Sequence, residues 1–278
     1  MTYFEILVIF IGPPLALLAG WAWWDARRGR RMGAGLNGSR AATVVVAHVV
    51  IALLYTTPWD NYLVATRVWW YDPDLVTGLT LGWVPIEEYT FFVLQSLFSG
   101  LMLLTLARRV LVRPPAIRPS LALRQVTTAA AGVIWIASVA LLLSGWQPGV
   151  YLGLILVWAL PPVITQLYFG ADILRAHARL VVLAILLPTI YLCVTDTVAI
   201  EAGTWTIDPA QSTGIMLAGV LPMEEALFFL ITNVLLVFGM TLMLDGESVV
   251  RVQAWRQTVM QWLESKERLK AAGQDDGQ

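Results

Sequence analysis

"VPIEEYTFF" occupies residues 84–92 and "LPMEEALFF" occupies residues 221–229 of the same 278-residue chain. Each string places Pro-x-Glu-Glu at the head of an apolar run and follows it with a Phe-Phe pair. Working outward from the two copies extends the match. Tyr55, Asp60, Trp69, Asp72, Pro73 and Gly78 recur 136 positions later as Tyr191, Asp196, Trp205, Asp208, Pro209 and Gly214. After a one-residue slip, Pro85, Glu87, Glu88, Phe91 and Phe92 recur as Pro222, Glu224, Glu225, Phe228 and Phe229. The Pro13-Pro14 pair matches Pro161-Pro162 once the first basic loop is allowed twelve extra residues. The pattern reads as an internal repeat.

With 58% hydrophobic and only 13% charged residues, the chain reads as an integral membrane protein. Apolar runs long enough for a span of roughly 20 residues fall at about 3–23, 42–57, 80–107, 124–145, 149–169, 178–195 and 214–244. The expected fold is an all-α membrane protein with seven transmembrane helices. Two parallel three-helix repeats, at 1–118 and 147–246, are joined by a connecting helix within 119–146, and 247–278 form a cytoplasmic amphipathic tail. The opening residues lack a basic stretch and a small-residue cleavage site, so they read as a retained helix. Alternate loops hold 17 of the 18 basic residues and leave Arg67 on the other side. That bias predicts a multi-pass cell-membrane protein with its N-terminus outside and its C-terminus in the cytoplasm. Val252, Trp255, Val259 and Trp262 recur at helical spacing in the tail, as in an interfacial helix, and 271–278 read as disordered. The single cysteine, Cys193, excludes an intrachain disulfide, and no zinc or redox motif is present.

The doubled acids need explaining, because a charged carboxylate near the bilayer centre costs about 2.5–3.5 kcal/mol on insertion scales. Burial and the like-charged neighbour both favour the neutral form, so at least one member of each pair is expected to hold its proton. The plainer alternative is a neutral Glu that only hydrogen-bonds a neighbouring helix. Pro85 and Pro222 are expected to kink helices 3 and 7, freeing the carbonyls of Leu81 and Ala218. Glu87 then sits about 10 Å inside the outer end of its helix. Glu88 shares a helical face with Phe91, Phe92 and Gln95, and Glu225 shares one with Phe228, Phe229 and Thr232. An acid among aromatic faces suits a reaction that makes a carbocation, although such phenylalanines also serve as ordinary packing. The loops carrying Trp69 and Trp205 read either as lids over the two motif helices or as an interfacial belt with solvated acids. Asp60 and Asp196 are placed at the outer ends of helices 2 and 6, lining the site's entrance or forming a cap network.

"PIEEYTFF" and "PMEEALFFLITN", repeated on a seven-helix chain, resemble the membrane-embedded lycopene cyclases, whose two homologous halves occur as separate subunits or fused in one chain. The resemblance covers the chain to about residue 244. It implies a catalytic centre at Glu87, Glu88, Glu224 and Glu225, with Pro85 and Pro222 in the motif. Phe91, Phe92, Phe228, Phe229, Trp69 and Trp205 are the candidate substrate contacts. It implies non-redox acid/base cyclisation of the linear ends of lycopene, or a related carotenoid, to β-ionone rings, an intramolecular lyase/isomerase reaction in carotenoid biosynthesis. No cofactor and no metal are expected, and no Gly-x-Gly-x-x-Gly flavin fingerprint occurs. The expected partners are the polyene and the lipid bilayer, with no nucleic acid; a homo-oligomer or a contact with other carotenoid enzymes is compatible with this. The residues leave open which glutamate is acid and which base, whether the ring is β, ε or γ, and whether one or both ends close.

Asn233 is expected either to hydrogen-bond a carboxyl or to tie helices together, His48 to pack or to relay a proton, and His177 to be solvated. A proton-coupled transporter is the alternative reading, since midplane carboxylates and repeated halves occur there too. A retinal photoreceptor is excluded, because the only lysines, Lys266 and Lys270, lie in the tail.

Overall fold

The structure is a computed structural model that describes residues 1–33, 35–110 and 116–275, with the backbone alone for 264–275. Among the described residues, seven helices are long and apolar enough to cross a membrane. They are α1 (Tyr3–Arg27), α2 (Ala41–Ala65), α3 (Ile86–Arg109), α4 (Leu121–Leu143), α5 (Val150–Ala176), α6 (Ala178–Glu201) and α7 (Met223–Leu244). An eighth helix, α8 (Gly246–Asp275), follows directly. It carries the tail through 271–275, where no regular structure was expected, and 276–278 lie outside the described residues. Leu54, Val133 and Leu143 are among the large side chains turned outward, as a lipid-facing surface requires.

Two boundaries differ from expectation in a way that matters. Helices α3 and α7 begin at Ile86 and Met223, not at 80 and 214, because Pro85 and Pro222 are N-cap residues and not kinks. Proline forces the residue before it to be extended, so Val84 and Leu221 enter short strands. Strand β2 (Thr80–Leu81) pairs with β3 (Val84–Pro85), and β5 (Met216–Leu217) pairs with β6 (Leu221–Pro222). The Leu81 carbonyl is not left free; it accepts the Tyr89 hydroxyl at 2.8 Å. Gly82, at φ 72°, makes the first hairpin possible, since a Cβ there would meet the Asn61 side chain. Both acid pairs therefore lie in the first turn of a helix, where backbone N–H groups favour negative charge. They do not lie two turns inside it.

Helices α2 and α6 run longer than the apolar runs suggested, to Ala65 and Glu201. Asp60 and Asp196 are thus interior residues of buried helix faces, not caps. In α1, Pro13 and Pro14 lack the N–H groups an α-turn would use, and the turn before them widens to a π-turn over Leu7–Ile11. Helix α4 packs chiefly on α5, with Trp135 Nε1 donating to the Val157 carbonyl at 3.2 Å.

The loops after α2 and α6 meet each other. Strand β1 (Trp69–Tyr71) pairs antiparallel with β4 (Trp205–Ile207), Trp70 opposite Thr206. Asp72 N–H donates to the Thr204 carbonyl at 3.0 Å and Asp208 N–H donates to the Val68 carbonyl at 2.8 Å, closing the ribbon at both ends. This ribbon crosses the ends of the helices where the Glu pairs sit.

At the opposite end the basic residues are anchored. Arg109 donates twice to Asp25, at 2.9 and 3.0 Å. Arg251 of α8 donates to both oxygens of Asp172, each at 2.8 Å, and to the Phe169 carbonyl at 3.0 Å. His177 is not solvated: it is 4% exposed, and its Nε2 lies 2.7 Å from Asp245 Oδ2, because α7 ends against the α5–α6 turn. Asp172→Ala leaves the Arg251 guanidinium only the Phe169 carbonyl and Glu247, and strands the Ser120 N–H that the same carboxylate accepts at 2.9 Å. The expected cost is about 3 kcal/mol, read as a lowered thermal midpoint of the detergent-solubilised protein. Arg30→Ala removes only an exposed partner of Asp25, 3.5 Å away, and should cost less than about 1 kcal/mol in the same assay.

Candidate active site

Glu88 and Glu225 lie three residues after the N-cap prolines and turn inward, where they line one buried chamber of about 50 Å3. Their partners come from the starts of α1 and α5. Tyr3 donates its hydroxyl to Glu88 Oε2 at 2.6 Å, and Tyr151 donates to Glu225 Oε1 at 2.6 Å. Glu88 Oε2 also accepts the Tyr71 hydroxyl at 3.0 Å, and Tyr71 in turn accepts Trp69 Nε1–H at 3.2 Å. Burial among these groups pushes the Tyr71 phenol well above its ordinary range, so it remains a donor at neutral pH.

Asp60 and Asp196 face the same chamber. Asp60 is fully buried and neither of its oxygens has a hydrogen-bond partner. Asp196 accepts Trp205 Nε1–H on Oδ1 at 3.0 Å and leaves Oδ2 without a partner. The chamber thus gathers four acidic side chains, two from each half of the chain.

Glu87 and Glu224 do not join them. Each turns toward its own loop, where Glu87 Oε1 accepts the Thr77 N–H at 2.6 Å and Glu224 Oε1 accepts the Thr213 N–H at 2.7 Å. Adjacent helical residues diverge by about 100°, so one member of each pair reaches the chamber and the other secures the loop. The expectation that all four glutamates line one hollow is corrected to two glutamates and two aspartates.

The walls are aromatic. Phe91, Phe92, Phe228 and Phe229 line the chamber on the faces that helical spacing gave them, and Trp69 and Trp205 line it from the loop ribbon. Trp59 adds a stacked cluster, 4.4 Å from Trp158 and 5.7 Å from Phe228, which are 6.2 Å from each other. Trp69 meets Tyr151 edge-on at 5.4 Å, and Trp205 lies against Tyr3 at 4.8 Å. Ring faces around a small space provide electron density on which a cation can rest.

Asn233 contacts no carboxyl. It accepts the Ser99 hydroxyl at 2.5 Å and donates to Thr189 Oγ1 at 3.0 Å, tying α7 to α3 and α6. His48 lies along α2 about 18 Å from Asp60 by helix rise, with Nδ1 2.8 Å from the Val44 carbonyl. Sequence reasoning overlooked Tyr3, Tyr151, Tyr71, Trp59 and Trp158. The offset of 148 that relates Pro13 to Pro161 also relates Tyr3 to Tyr151, so a signal for the two hydroxyl donors was present.

A family model described as lycopene cyclase matches residues 33–106 and 148–243. Lycopene beta-cyclases from two strains of Halobacterium salinarum are each 37% identical over 243 residues, covering 87% of this chain and 95% of theirs. A bifunctional lycopene cyclase/phytoene synthase of Podospora anserina is 38% identical over 202 residues, 69% of this chain and 33% of the fungal protein. No solved structure matches the chain. Two matched segments, each with one Pro-x-Glu-Glu helix opening onto the shared chamber, place this chain in the lycopene cyclase family.

Proposed function

We propose that the protein cyclises the linear ends of lycopene to β-ionone rings by proton transfer alone. The observation that carries this reading is the convergence of Glu88 and Glu225, both buried, in one aromatic-walled chamber. A protonated carboxyl gives its proton to C2 of the terminal C1=C2 bond, leaving a tertiary cation at C1 and a carboxylate behind. The C5=C6 electrons form the C1–C6 bond and move the charge to C5. A second carboxylate then takes the proton from C6, and the C5=C6 bond re-forms. Atoms balance, nothing is oxidised, and the product is an isomer of the substrate.

Hydrogen bonding supports a division of roles. Two hydroxyls directed at Glu88 and one at Glu225 stabilise carboxylates, so these residues suit the proton-accepting step. Asp60, buried without a donor, and Asp196, with one free oxygen, suit the delivery of a proton to the alkene. Trp59, Phe228 and their neighbours stabilise the passing cation. Glu87 and Glu224 hold the loops that close the chamber, and so position the others.

The matched hydrogen bonds of the two halves support an ancestral three-helix unit present twice, with α4 as connector. Tyr3 and Tyr151 bond Glu88 and Glu225, and Thr77 and Thr213 bond Glu87 and Glu224. The basic loops at the far end support an outward-facing ribbon and a cytoplasmic C-terminus.

Isolated membranes given preformed lycopene in D2O test the reading. One deuterium at C2 of each new ring is expected by mass spectrometry and NMR. Unchanged lycopene, or rings without deuterium, would overturn it.

A further inference from the structure

We propose that a second cavity, of about 810 Å3, seats the conjugated chain of the polyene while its end is held in the acid chamber. This rests on the function proposed above and extends it to a binding site. The acid chamber, at about 50 Å3, is far too small for the whole polyene, so no more than its terminal end can enter. The remainder of such a substrate needs a continuous apolar path leading away from the carboxyls.

The larger cavity supplies that path. It shares the rings of Phe92 and Phe228 with the acid chamber, so those two side chains are the partition between them. Along α7 it runs from Phe228 to Met243, about 22 Å by helix rise. Its floor at the far end is α8, through Val252 and Arg256. Two amides along it are engaged with neighbours, Gln95 donating to Thr232 at 2.9 Å and Gln166 Nε2 donating to the Leu235 carbonyl at 3.0 Å, while Gln166 Oε1 and Ser248 Oγ have no partner. Ile51 and Tyr55 on α2 and Thr165 on α5 line it and are exposed, which opens it sideways between these helices at bilayer depth. A hydrocarbon dissolved in the membrane can enter there without crossing water. On the other side the acid chamber is shut by the loop ribbon that carries Trp69, Tyr71 and Trp205. The polyene therefore enters end first past Phe92 and Phe228, and one end is processed per binding event.

Ala52→Trp and Thr165→Trp fill the cavity from opposite walls, and Val133→Trp, on the outer face of α4, is the control. In membranes supplied with lycopene, conversion should fall at least about tenfold in the first two and stay unchanged in the third. If the wild type converts lycopene and both cavity variants stay within about twofold of it, the cavity is not the polyene site and the cyclase reading stands. If the wild type does not convert lycopene, both readings fall. A photoreactive benzoylphenylalanine at 52, 165 or 133 in a Glu88→Gln background separates blocking from misfolding. Lycopene adducts at 52 and 165 but not at 133 support the site; adducts at 133 alone, or none, overturn it.

Discussion

Glu88→Gln and Glu225→Gln are each expected to lower conversion of lycopene by about 10²–10⁴-fold, the range associated with loss of a general acid or base. Glutamine keeps the size and one acceptor oxygen, so the Tyr3 or Tyr151 hydroxyl retains a partner and the wall stays packed. What disappears is a group that can take a proton from C6. Glu87→Gln and Glu224→Gln should behave differently. An amide oxygen still accepts the Thr77 or Thr213 N–H, and neither side chain lines the chamber, so a loss of about tenfold or less is expected. Product analysis of all four variants in a lycopene-producing cell, with protein levels in the membrane matched, makes the comparison. Inactivity in the Glu87 and Glu224 variants beside full activity in the other two would reverse the assignment.

Seven spans were legible because each apolar run exceeds what a soluble core needs, and the membrane imposes helices on such runs. The chamber's phenylalanines were legible too, since i+3 and i+4 spacing from Glu88 and Glu225 fixes one face. Depth along the helix was not. An apolar run does not mark where a helix begins, and Leu79, Leu81 and Trp83 are as greasy as the residues that follow. The proline could have marked it: proline sits comfortably at a helix start and poorly in its middle. Reading Pro85 and Pro222 that way places the acids in the first turn, beside the backbone N–H groups that favour them.

The division of labour between adjacent glutamates was half visible. The 100° divergence was readable, but the target of the outer member was a loop N–H ten residues back, which no periodicity reports. Pairing between the loops was equally hidden, since Trp70 and Thr206 meet across 136 residues of chain. His177 was misread because its partner Asp245 is distant in sequence, and only the packing of the end of α7 brings the two together. The Tyr3–Tyr151 correspondence was readable at the offset of 148 that aligns the proline pairs; what no offset reports is that the two hydroxyls reach Glu88 and Glu225.

Asp60→Asn should be nearly as damaging as Glu88→Gln, a loss of about 10²-fold or more, although nothing in the Pro-x-Glu-Glu motif points to this residue. Alkenes are very poor bases, so the donor must be a carboxyl whose conjugate base is not too basic once formed. Asp60 has no hydrogen bond to stabilise its anion, so that need is met only by the cation formed beside it in the chamber. A proton lost to C2 leaves an anion beside the cation it has just created, and the two charges stabilise each other in a buried space. Asn cannot supply that proton and cannot become that anion. Asp60→Glu keeps the chemistry but crowds a chamber of about 50 Å3, so partial activity is expected. Deuterium uptake from D2O distinguishes the roles further: an Asp60→Asn enzyme with residual turnover by way of Asp196 should still label C2, only more slowly. An Asp60→Asn variant as fast as the wild type would remove Asp60 from the proton path, and Asp196→Asn, assayed alongside, would show whether the two aspartates substitute for each other.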